Sequence, residues 1–171
     1  MANPTMTLIA SNTVGSGGVS SVTFSSIPQT YTDLIIKMSA RDDISGQVND
    51  NITVSFNGSS ANGTTKELYG TGSAAGSGSL PNVKSNYITG ASATTNTFSN
   101  NEIYIPNYTS SNYKSISSDG AAESNVTGAF MAMEAGLWSQ ISAITSISLS
   151  SGNNANFVQY STFYLYGIKN S

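Results

Sequence analysis

The sequence contains neither cysteine nor histidine. Without cysteine there is no disulfide and no thiolate metal site. Without histidine the Ser-His-Asp and Cys-His arrangements of nucleophilic catalysis are excluded, and so are the usual zinc sites. Charge is scarce as well. Only 9% of the 171 residues are charged, where about 25% is ordinary. The 6 Lys and Arg against 9 Asp and Glu give a net charge of −3, and no basic cluster offers the footprint that nucleic acid needs. No apolar run approaches the ~20 residues that span a bilayer. The opening MANPTMTLIASNTV has no basic n-region and no long apolar h-region, so no secretory signal is expected there.

What fills the chain is Ser, Thr, Asn and Gly beside 38% hydrophobic residues. That mixture suits many short strands joined by many turns. β-Branched residues pack on sheets, while Gly and Asn supply positive φ. Asn-x-Ser/Thr occurs at Asn51, Asn57, Asn62, Asn107 and Asn125. In so Asn-rich a chain, and with no signal peptide, these are chance matches.

Strand signals recur along the chain. Alternation predicts strands over Thr5–Val14, Val22–Phe24, Asp33–Arg41, Asn51–Phe56, Glu102–Pro106, Tyr113–Ser118, Gly128–Trp138, Ala143–Leu149 and Phe157–Ile168, with weaker signals over Glu67–Tyr69 and Tyr87–Ala93. Ala129–Ala135 also has helical propensity. The low-complexity stretch Gly70–Ser79 is expected to be a mobile loop. The prediction is an all-β, jelly-roll-like antiparallel β-sandwich of about ten strands, in a single domain over 1–171 without internal repeat.

Chemistry-bearing motifs are few. No G-x-x-x-x-G-K-[ST] sequence occurs. Glu102 and Glu134 are the best pair for carboxylate acid–base work. Both are expected to face outward on alternating strands, Glu102 because it lies out of phase with Ile103 and Ile105. Asp42, Asp43, Asp50 and Asn51 flank one loop and could offer oxygens to a hard cation, but the spacing matches no calcium loop and a turn explains them better. Tyr87, Tyr104, Tyr108, Tyr113 and Trp138 could stack on sugars or partners. No catalytic, cofactor-binding or metal residue is therefore assigned, and no cofactor is expected.

Four segments in order, Ser26–Asp42 (SIPQTYTDLIIKMSARD), Asn100–Ser117 (NNEIYIPNYTSSNYKSIS), Ala135–Leu149 (AGLWSQISAITSISL) and Asn156–Ser171 (NFVQYSTFYLYGIKNS), together with the Thr13–Gly18 turn, resemble a family of small virion proteins of tailed bacteriophages, especially those of marine and cyanobacterial hosts. The resemblance covers nearly the whole chain except the middle, Asn57–Ala93. It implies a non-enzymatic structural protein, assembled in the host cytoplasm and carried on the virion. A capsid decoration or cement protein is expected, bound to the major capsid protein and to copies of itself. A homotrimer follows by analogy with particle symmetry. The alternative is a tail-fibre or head-fibre accessory protein that binds host surface glycan. Partners are sought among proteins, not nucleic acid or membrane. The expected contact residues are Met6, Leu8 and Ile9 in the first strand and Tyr108 and Tyr113 in an exposed loop.

Overall fold

Alternating side chains put one face of a strand in the core and the other in water, and this pattern recurs from end to end. A computed structural model describes residues 5–126 and 128–169, and among them every regular element is a strand. In chain order these are β1 (Met6–Thr13), β2 (Ser21–Phe24), β3 (Asp33–Ser39), β4 (Asn49–Phe56), β5 (Gly63–Gly70) and β6 (Ala75–Pro81). They continue with β7 (Val83–Thr89), β8 (Asn100–Ile105), β9 (Lys114–Ala122), β10 (Phe130–Trp138), β11 (Ile147–Ser151) and β12 (Thr162–Ile168).

All strand pairs are antiparallel and form two sheets. The large sheet has the order β1-β12-β3-β8-β9-β10-β5-β6, and the small one β2-β11-β4-β7. The all-β antiparallel class therefore stands. The count is twelve rather than about ten, and the strands divide eight and four, unlike the eight-stranded jelly roll. One apolar cluster joins the inner faces. It includes Val22 and Phe24 of β2, Val54 and Phe56 of β4, Leu34 and Ile36 of β3, and Phe163 and Leu165 of β12.

One expectation is corrected and one open choice is settled. Gly70–Ser79 is not a loop throughout: a turn at 71–74 joins β5 to β6 as a hairpin. Gly76 and Gly78 lie opposite Tyr69 and Glu67, and a Cβ on either would come within 2.6 Å of the Tyr69 ring or 2.5 Å of Glu67 Oε1. Low complexity here supplies empty seats for two large neighbours, and the ladder does the rest. The strand expected over Gly128–Trp138 is β10 (Phe130–Trp138), where pairing on both sides overrides the helical propensity of the Ala- and Met-rich run.

Asparagine makes the turns. Seven of the nine non-glycine residues with positive φ are Asn, among them Asn57, Asn62, Asn107 and Asn125. Four of the five sequons are thus left-handed turn positions, which accounts for their abundance. Asn57 and Gly58 (φ 52° and 81°) form the tight turn that ends β4.

Candidate functional site

The two faces of the large sheet differ, and strand register fixes which residues share each face. One outer row runs Lys37, Glu102, Asp119, Met133, Leu68, Ser77 across β3, β8, β9, β10, β5 and β6. Lys37 and Glu102 form an ion pair in it. The outer positions of β10 are Met131, Met133, Ala135 and Leu137. Met131 is 67% exposed, Met133 66% and Leu68 61%, and Leu137 is exposed too. A groove of about 630 Å3 opens beside Met131, Met133 and Leu68. The inner positions of β10 are Ala132, Glu134, Gly136 and Trp138. β10 is thus inverted: its long apolar side chains face out and its carboxylate faces in. A one-residue slip would exchange the faces, and the buried Trp138, tilted at 5.2 Å on Phe56, holds the register as it is.

The expected contact residues divide. Met6 and Leu8 are exposed on β1, at the edge of the large sheet, and Tyr113 is exposed just before β9. Ile9 sits at a bulge between Leu8 and Ala10, which turns it and Ala10 toward the core. Tyr108 is not on the surface. It is fully buried, its hydroxyl donates to the Pro28 carbonyl, and its own carbonyl accepts from the Ile144 N–H at 3.0 Å. Trp138 is core as well, and Tyr104 donates to Asp33 Oδ2 at 2.7 Å.

Glu102 and Glu134 lie on opposite faces of the sheet and cannot flank one bond. Glu102 faces outward as expected; Glu134 does not, being 5% exposed between the sheets. Its Oε2 accepts from Ser118 Oγ at 3.1 Å, and Ser118 Oγ accepts from Asn86 Nδ2 at 3.2 Å. Glu67, its cross-strand neighbour, accepts from the Tyr87 hydroxyl at 3.2 Å. Burial pushes Glu134 up to about 7, the Ser118 hydrogen bond opposes this, and the Glu67 charge adds to it. Burial, then Glu67, raises Tyr87 as well. Oxygens of Glu134, Asn86, Asn101 and Ser85 in this region have no hydrogen-bond partner within the protein.

The loop acids split too. Asp42 and Asp50 are buried side by side, whereas Asp43 turns outward to accept from Asn156 N–H at 2.7 Å. Asp50 accepts from Ser151 Oγ (2.5 Å), Asn153 Nδ2 (2.6 Å), the Asn51 N–H (2.8 Å) and the Asn153 N–H (3.2 Å). Burial, then the charge of Asp50, lifts Asp42 to about 7. Asp42 therefore holds its proton below that pH. Among the described residues no three acidic side chains gather around one point.

Two cations had no place in the sequence reading. Lys114 is 1% exposed, and its ammonium donates to the carbonyls of Ser110 (2.7 Å), Asn112 (2.8 Å), Ser142 (2.7 Å) and Gln140 (3.4 Å). The Arg41 guanidinium donates to the carbonyls of Ala91, Ala93, Thr94 and Thr97. Lys114 shares its strand parity with Ile116 and Glu134 with Trp138. That parity was the available signal for both, outweighed by the rule that charge faces water.

No family model, no curated protein and no solved structure matches this chain.

Proposed function

We propose that this chain is a non-enzymatic structural protein of a tailed-phage virion, one that attaches to the head shell and stabilises it through contacts with other virion proteins. The observation that carries this is the inverted strand β10. Local preference puts Met131, Met133 and Leu137 inside and Glu134 outside, and the fold does the reverse. A sequence departs from local consistency where function requires it. Contiguous apolar side chains on an otherwise Ser/Thr/Asn surface mark a protein contact. Exposed Met6 and Leu8 add a second apolar strip on β1. Binding at many positions on a shell stabilises it by mass action.

The test is to locate the chain in intact particles by labelling or reconstruction. The expected result is many copies on the shell, and particles without the protein should lose heat resistance. A few copies at the tail, with shell stability unchanged and adsorption lost, would overturn it in favour of the accessory-fibre alternative. That alternative has one feature on its side. Tyr164 and Tyr166 stand 6.5 Å apart on the outer face of β12, with Tyr104 of β8 on the same face across Ile35 of β3, an arrangement able to stack on sugar rings.

A further inference from the structure

The apolar face on β10 and β5 calls for an occupant, and its charges suggest which. On the β9 side of the stripe stands Asp119, level with Met133; on the β5 side stands Lys66, level with Ala135. Both are exposed. An anion on one flank and a cation on the other make the face complementary to its own copy turned through a half-circle.

We propose that two copies of this chain pair face to face through the outer surface of β9, β10 and β5, about a two-fold axis parallel to the strands between β10 and β5. This rests on the reading of β10 as a contact strand and names its partner. The operation lays Met133 of each copy on Leu68 of the other. It also carries Asp119 of each copy across to β6 of the other, where the Lys66 ammonium already leans to donate to Ser79 Oγ at 2.6 Å. Aligned packing of two sheets with interdigitating side chains is an established geometry. An isologous contact of this kind closes on itself. The exposed methionines suit it, since flexible thioethers fill irregular gaps between facing sheets. The arrangement is two-fold, unlike the three-fold one that particle symmetry suggests.

The experiment is the solution mass of the full chain, by sedimentation or light scattering, across a micromolar concentration series. The expected result is twice the monomer mass. Met133→Asp places a carboxylate in the centre of the contact and should weaken pairing by about 100-fold or more. Asp119→Lys and Lys66→Asp should each weaken it roughly tenfold, and the two together should restore it. Circular dichroism of each variant distinguishes lost pairing from lost folding. A monomer at every concentration, a trimer, a dimer indifferent to Met133→Asp, or a double swap that fails to restore pairing would each overturn the proposal. A monomer still found on the virion shell would sink the pairing and leave the structural role standing. A dimer absent from the particle would do the opposite.

Discussion

The sandwich has a dry part and a wet part. In the dry part, β2, β11 and β4 supply Phe24, Ile147, Leu149 and Phe56, while β3 and β12 supply Ile36 and Phe163, all of them buried. In the wet part, β7 lies against β9, β10 and β5, the closest approach of the two sheets. Ser118, Gly120, Ala132 and Gly136 line it from the large sheet, and Ser85 and Asn86 face them from β7. At Gly120 a Cβ would come 2.7 Å from Asn101 Nδ2 and 3.0 Å from Asn86 Cβ. Branched apolar side chains hold the sheets apart and fill the gap by volume. Small polar ones let the sheets come close and must be satisfied by hydrogen bonds. The first solution depends on shape, the second on protonation.

Removing volume from the dry part should have the largest effect. Phe163→Ala is expected to cost roughly 3–5 kcal/mol in chemical denaturation; a loss below 1 would mean that the apolar part does not carry the fold. Next is the buried ammonium of Lys114, close to Trp138 beside this part. Lys114→Met leaves four carbonyls without their donor and should cost about 3 kcal/mol. An unchanged denaturation midpoint would refute the carbonyl staple.

The wet part should respond to pH. Glu134 has a folded pKa of about 7 against an ordinary 4.5, and Asp42 of about 7 against 3.8. The folded chain keeps protons that the unfolded chain has already lost. The stability that these two carboxyls contribute is therefore full below about pH 4, falls as pH rises, and levels off above 7. Glu134→Gln should melt with the parent at pH 4 and gain roughly 2–3 kcal/mol over it at pH 8. If the slope of melting temperature against pH survives the substitution, Asp42 alone sets it. Smallest of all, Ser85→Ala removes a hydroxyl with no partner in the protein. It should leave stability unchanged or raise it by about 1 kcal/mol. A comparable loss would mean that the hydroxyl is satisfied.

Most strands were legible, because strict alternation in Asn51–Phe56, Glu102–Ile105 and Phe163–Ile168 leaves one face for the core. β6 was not, since its reason lies in Tyr69 and Glu67 on another strand. The eight-and-four division was not legible either; β12 between β1 and β3 is a pairing of distant segments that no local window contains. Of the contact residues, Met6, Leu8 and Tyr113 lie on the surface as expected. Tyr108 failed because a loop that looks polar folds inward under Lys114. The outer stripe on β10 was missed for a sharper reason. Hydrophobic patterning assigns long apolar side chains to the core, and in this strand the packing of Trp138 and Gly136 decides the opposite.

Lys114 and Arg41 draw their partners from the backbone, and the one ion pair among the described residues, Lys37–Glu102, is on the surface. Mobile salt screens exposed charge pairs but has little access to an ammonium enclosed by carbonyls. The loops at 110–112 and 140–142 are therefore fastened by links that brine does not loosen. Their positions should be the same in dilute buffer and in molar sodium chloride.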